Sequence, residues 1–256
     1  MRLSLSVGNR VRPTNGFAHY IYLVLNIILA LLVYVFVQVN TIPLAIAIVL
    51  LSKWRMFALR PRYWLLNIRS NAVDIMVGLS VITFMTYTFS PGTRFLWATL
   101  YAGWLLFIKP RSSPLMVGLQ ALIGQGVGMW SLFMAWKSAP TLGLVACVWV
   151  IAYVSARHFF SAYDEARGPL FSYTWGYFGA ALTWVLGHWL LFYGQLAQPT
   201  LLLSVIGFGM GSLYHLDARD KLSQPLRRQF VFIMVAIIAV VLVFSGWGDI
   251  TTIRPN

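Results

Sequence analysis

The densest run of reactive side chains in this 256-residue sequence is Ser155-Ala156-Arg157-His158-Phe159-Phe160-Ser161-Ala162-Tyr163-Asp164-Glu165-Ala166-Arg167-Gly168. Read as helix, it places His158, Ser161 or Ala162, and Glu165 on one face at i, i+3/4, i+7. Asp74, His215, Asp217 and Asp220 emerge on the same side in the topology argued below. Two histidines and several carboxylates gathered at one surface can bind a divalent metal or a phosphate-bearing headgroup. The plainer reading is a solvated loop in which Asp217 pairs with Lys221 at i+4, worth a few tenths of a kcal/mol, roughly. Neither His-x3-His nor His-Glu-x2-His, the spacings that put two metal ligands on one helix face, occurs. No metal site and no cofactor is therefore expected.

His188, in Gly187-His188-Trp189, is read as the only titratable group at depth in the membrane. It stands six residues before Gly194, about 9 Å from the outer end of its helix at 1.5 Å per residue. A neutral imidazole bonded to a neighbouring helix is preferred over a gate or ligand contact, because an isolated group without a carboxylate partner at depth is a poor proton relay. Of the six acids, Asp74 is placed at the cytoplasmic edge of its span and none is placed near mid-bilayer. An ion-driven pump, which needs such a group at depth, is disfavoured. A third feature is basic and aromatic. Lys53, Arg55, Arg60, Arg62 and Arg69, interleaved with Trp54, Phe57, Tyr63 and Trp64, suit an interfacial segment lying on anionic headgroups, at about 1 kcal/mol per basic residue. Hydrolase elbows and Walker loops are absent.

The elements that must position these residues follow from composition. Apolar residues make up 59% of the chain and charged ones only 10%, against roughly 45–50% and 25% in soluble proteins. The apolar residues fall into nine runs, at 20–38, 42–59, 72–89, 95–108, 115–136, 140–156, 170–193, 199–214 and 229–247. Each is continuously apolar rather than alternating, which predicts helices and not a barrel. The expected fold is all-α, a membrane bundle of about nine transmembrane helices. Residues 1–19 form a basic cytoplasmic tail, 20–247 a single transmembrane domain, and 248–256 an external tail.

Charge supports this division. The net charge of +13 does not indicate nucleic acid, because the basic residues are scattered through short connectors rather than gathered on one face. With the N-terminus inside and nine crossings, 16 of the 19 Lys and Arg fall inside and 3 outside, as the positive-inside rule requires. Span two is the weak member, since Lys53 and Arg55 interrupt it. The first apolar run is read as retained, because no small-x-small cleavage site follows it. Cys147, the single cysteine, lies in an apolar run and offers no disulfide. Small residues four apart, Gly124 and Gly128, Gly176 and Ala180, Gly207 and Gly211, allow close helix packing within the chain.

The stretches Leu51 to Trp64, Asn71 to Ser80, and Trp175 to Gly179 through His188-Trp189 resemble polytopic membrane proteins of candidate-phyla bacteria, Saccharibacteria among them. That resemblance implies a cytoplasmic-membrane, multi-pass location. It carries over no functional residue.

Three functions are weighed. The first is non-enzymatic movement or housing of a small or lipidic molecule, favoured by nine spans without a soluble domain or catalytic signature. The second is an enzyme acting on a lipid-linked phosphate at the cytoplasmic face, using Asp74, His158, Asp164, Glu165, His215 and Asp217. The third is a scaffold or partner subunit. Expected partners are membrane lipids, with anionic headgroups on the cytoplasmic side, and a second copy or another membrane protein; nucleic acid is excluded. A cavity favours the first function, convergence of the polar residues on one cleft the second, and an exposed small-residue face the third.

Overall fold

The computed structural model describes residues 16–54, 64–136, 140–187, 192–193 and 196–246. Over these the chain is helical apart from one two-stranded hairpin. The helices are α1 (Phe17–Gln38), α2 (Ile42–Leu51), α3 (Trp64–Thr86), α4 (Pro91–Gly103), α5 (Pro114–Ala135), α6 (Thr141–Phe160), α7 (Gly168–Gly187), α8 (Gln198–Asp217) and α9 (Gln224–Phe244). α4 passes directly into a π-helical turn, Trp104–Ile108. β1 (Phe192–Tyr193) pairs antiparallel with β2 (Leu196–Ala197), Phe192 opposite Ala197. Proline stands in the first turn of α2, α4, α5, α8 and α9, where its missing N–H removes no intrahelical bond.

Among the described residues six helices, α1, α3, α5, α6, α8 and α9, are long and apolar enough to cross a membrane. The segment expected to span at 42–59 does not do so as one helix. α2 has 10 residues, about 15 Å, half of a hydrocarbon core of about 30 Å. The helix ends at Leu51 and the next turn delivers Lys53 into the bundle, where α3 supplies a partner for it. Arg55, Arg60 and Arg62 lie outside the described residues. α3 begins eight residues before its apolar run, so Asp74 is not at the helix edge but ten residues, about 15 Å, along it. α7 is described as far as Gly187, His188 lies outside the described residues, and the end of the seventh run, Phe192–Tyr193, is in β1.

Cross-bundle hydrogen bonds sort the helix ends onto two faces. Arg94 Nη1 donates to Gln38 Oε1 at 2.9 Å, joining the start of α4 to the end of α1. The Tyr87 hydroxyl donates to the Ala135 carbonyl at 3.2 Å, joining the ends of α3 and α5. At the other face His158 meets Gln120 and Tyr163 meets His215. That second face carries Lys109, Arg111, Arg157, Arg167, Arg219 and Lys221 at helix ends and connectors; the first carries Arg94. We refer to them as the basic face and the opposite face.

Two larger apolar cores follow from this arrangement, with a small third one of Leu186, Leu202 and Val241 between α7, α8 and α9. Leu29, Val33, Val49, Val77, Met85 and Leu105 pack α1 to α4 together. Met129, Phe133, Val148, Ala152, Ala197 and Leu203 join α5, α6 and α8. The small-residue pairs face partners within the chain, as their spacing implied. A Cβ on Gly124 would sit 2.7 Å from Val73 Cγ1, and one on Gly176 3.2 Å from Trp149 Nε1. α9 is peripheral, with Val241 its one buried helical residue.

Candidate functional site

The expected cytoplasmic cluster resolves into two sets with different partners. The first centres on Asp74, which is 7% exposed. Lys53, from the turn after α2, forms an ion pair with its Oδ2. Lys109, just past the π-helical turn, approaches the same oxygen at 2.7 Å. Trp104 Nε1 donates to Oδ1 at 2.9 Å. A carboxylate buried in an apolar bundle must be paired or neutralised, and here three groups, from the turn after α2, from the π-helical turn and from just past it, converge to do it. Lys53, expected on lipid headgroups, is instead 6% exposed in this interior. Two ammonium groups and one carboxylate leave the cluster with one positive charge in excess.

His158 belongs to the border of this set. Its Nε2 lies 2.9 Å from Gln120 Oε1, an acceptor, so Nε2 carries the proton. The amide nitrogen of Gln120 donates to the carbonyls of Ile108, at 2.7 Å, and Arg111, at 2.9 Å. One glutamine thus closes the end of the π-helical turn onto α5 and α6. The histidine is committed to orienting that amide, which leaves it poorly placed to join Glu165 in a shared site.

The second set surrounds a cavity of about 480 Å³ between α5, α6, α7 and α8. Its volume falls within the roughly 300–1,000 Å³ usual for small-molecule sites. Helical spacing builds each wall. On α7, Phe171, Thr174, Trp175 and Phe178 recur at i, i+3, i+4 and i+7; on α8, Gly207, Met210, Gly211 and Tyr214 do the same, with Ile206 beside them. Gly207 and Gly211 keep the α8 wall thin. Phe171, Phe178 and Met210 are also exposed on the outer surface of the bundle, so the cavity opens sideways between α7 and α8, part-way along both helices. No charged side chain lines it.

Gln125 organises its inner wall. Its Nε2 donates to the Leu203 carbonyl at 3.1 Å and its Oε1 accepts from Trp175 Nε1 at 2.7 Å, so one amide fastens α5 to both α7 and α8. Toward the basic face the wall ends in an aromatic cluster. Phe159, Phe160, Tyr163 and Tyr214 hold ring centroids 5.1 to 5.7 Å apart. From it the Tyr214 hydroxyl donates to Glu165 Oε2 at 2.6 Å, and the Tyr163 hydroxyl lies 2.5 Å from His215 Nδ1. With the Arg167 backbone N–H on its other oxygen, the Tyr214 bond holds the Glu165 carboxyl below the usual carboxylate range. Burial pushes the Tyr163 phenol up.

Of the residues singled out in the sequence, Glu165 and His215 come together at this rim through adjacent tyrosines. Asp74 turns toward Lys53, Trp104 and Lys109, and His158 toward Gln120 on α5. Asp164 and Asp217 are exposed and stand in neither set, and Arg69 is half-buried near the start of α3. Among the described residues no group of three His, Cys, Asp or Glu side chains is arranged to hold a metal ion. Tyr163, Tyr214, Gln120 and Trp175 are not among the site residues expected from the sequence. The i, i+4 aromatic pair Phe159 and Tyr163 is a local signal for Tyr163; the other three meet partners distant in sequence.

No protein-family model, curated protein or solved structure matches this chain.

Proposed function

We propose that the chain is a multi-pass protein of the cytoplasmic membrane that houses or carries a lipidic molecule in the cavity between α5 and α8, without chemistry on it. The observation that carries this reading is the character of that cavity: uncharged, walled by aromatic and aliphatic side chains, and open sideways where hydrocarbon tails would stand. A solute entering from water would need a polar vestibule, whereas a lipid needs only a lateral gap. The basic face is taken as cytoplasmic by the positive-inside rule, with nine crossings and the C-terminus outside. Anionic headgroups are the partners of its arginines and lysines. The alternative of an enzyme on a lipid-linked phosphate draws on Tyr163, Glu165, Tyr214 and His215 at the rim, but Asp74 and His158 are engaged elsewhere. The scaffold alternative draws on exposed α9, since the small-residue faces are spent within the bundle.

Native mass spectrometry on the full chain released from membranes tests the housing reading. A lipidic adduct is expected in the wild type, and Met210→Trp, at the mouth, should abolish it without loss of folded protein. A wild-type chain that carries no such adduct, alone or after incubation with total membrane lipid, overturns the reading.

A further inference from the structure

The cavity contains one hydrogen-bonding group that the protein leaves unused. Ser155 Oγ lines it, is in a residue 2% exposed, and has no hydrogen-bond partner. The other buried polar group on the wall, the Gln125 amide, is consumed at both ends by Leu203 and Trp175. A buried hydroxyl left without a partner costs about 1–3 kcal/mol, a cost that a ligand oxygen would remove. Six of the lining side chains are aromatic: Phe159, Phe160, Phe171, Trp175, Phe178 and Tyr214. Aromatic walls favour a flat partner that can stack against faces or meet edges. The absence of any charged lining residue excludes a phosphate or ammonium group from the interior, since an ion buried without a counter-charge is strongly penalised.

Resting on the housing reading above, we infer that the cavity takes a neutral, planar ring lipid bearing a carbonyl oxygen, of the prenylated-quinone class, with Ser155 Oγ donating to that carbonyl. The ring lies among Phe159, Trp175 and Phe178, and the prenyl tail leaves through the gap between α7 and α8 into the bilayer.

The test uses the full chain in nanodiscs of uncharged phospholipid and two probes: a prenylated 1,4-naphthoquinone, and the same prenyl-naphthalene skeleton without carbonyl oxygens. The wild type should bind the quinone about tenfold more tightly than the hydrocarbon, the factor that one neutral hydrogen bond supplies. Ser155→Ala should remove that preference while leaving the hydrocarbon affinity unchanged, and Ser155→Thr should retain it. Met210→Trp should weaken both probes together. Equal affinity for the two probes in the wild type, or a preference that survives Ser155→Ala, overturns the ligand class and leaves the housing reading standing. Failure of both probes, together with no lipidic adduct on the chain as isolated, overturns the housing reading itself.

Discussion

Lys109 Nζ lies 2.7 Å from Asp74 Oδ2, the same oxygen that Lys53 engages. The two lysines are not equivalent in consequence. Removing Asp74 leaves two ammonium groups against no counter-charge, and breaking a buried pair in this way costs about 3–5 kcal/mol. Removing Lys53 leaves Lys109 and Asp74 as a balanced pair. Asp74→Asn is therefore expected to destabilise the chain severely in equilibrium unfolding, and Lys53→Met to cost much less. Adding Lys53→Met to Asp74→Asn should restore part of the loss; a double variant no better than Asp74→Asn alone would refute the excess-charge account.

Glu165 is the only glutamate in the chain, so selective carboxyl labelling gives a single carbon resonance to titrate. Its carboxyl is held below the ordinary range by the Tyr214 hydroxyl and the Arg167 N–H. A depressed carboxylate contributes stability that is present above its unfolded value, about 4.3, and is lost as pH falls through the lower folded one. Tyr214→Phe should move the midpoint up toward the ordinary value. An unmoved midpoint would mean that the hydrogen bond does not form in solution.

Two glycines should respond in opposite directions to alanine. On Gly124 the added methyl would come within 2.7 Å of Val73 Cγ1 and 3.1 Å of Met76 Cε, so α3 and α5 must part; overpacking of this kind costs about 1–3 kcal/mol. Gly103 has helical φ of −58° and nothing within 4 Å of its Cβ position. Gly103→Ala should stabilise by up to about 1 kcal/mol, through reduced backbone freedom in the unfolded chain. Thermal unfolding of the two variants side by side decides the matter.

Orientation is open to direct chemistry because Cys147 is the only thiol. In a Cys147→Ala background, Arg219→Cys should react with an impermeant maleimide only after the cytoplasmic side is exposed, and Arg94→Cys in intact cells. A reporter fused after Asn256 should read as external. The reverse pattern would invert the bundle, and a cytoplasmic Asn256 alone would reduce the crossings by one.

Much of the helix layout was legible because proline and apolar content are local signals. The run 115–136 became α5 at Pro114–Ala135, and 199–214 became the middle of α8. The failures all involve partners distant in sequence. Lys53 reads as a surface cation until α3 presents Asp74, and α3 is longer than its apolar run because Trp64 to Asn71, which mixes Asn67, Arg69, Ser70 and Asn71 with apolar residues, is helical as well. The proposed cluster at 155–168 divided because successive helical side chains point about 100° apart, sending His158 to Gln120 and Phe159 to Tyr214. Nothing in the spacing of Gln125, Trp175 and Leu203 indicates that one amide would join all three.

The π-helical turn at Trp104–Ile108, closed by Lys109 N donating to the Trp104 carbonyl at 2.9 Å, acts as a one-residue insertion in an otherwise regular helix. The turn takes up that residue locally, so Lys109, five residues beyond Trp104, follows it as a residue four along would in an ordinary helix. Deleting one residue from Leu105 to Ile108 would restore ordinary winding with Lys109 still in phase with Trp104, and both the indole and the ammonium group would stay on the Asp74 carboxylate. Inserting a further residue there would instead turn Lys109 by about 100° about the helix axis, away from Asp74. The charge cluster therefore tolerates a shorter chain at this point better than a longer one.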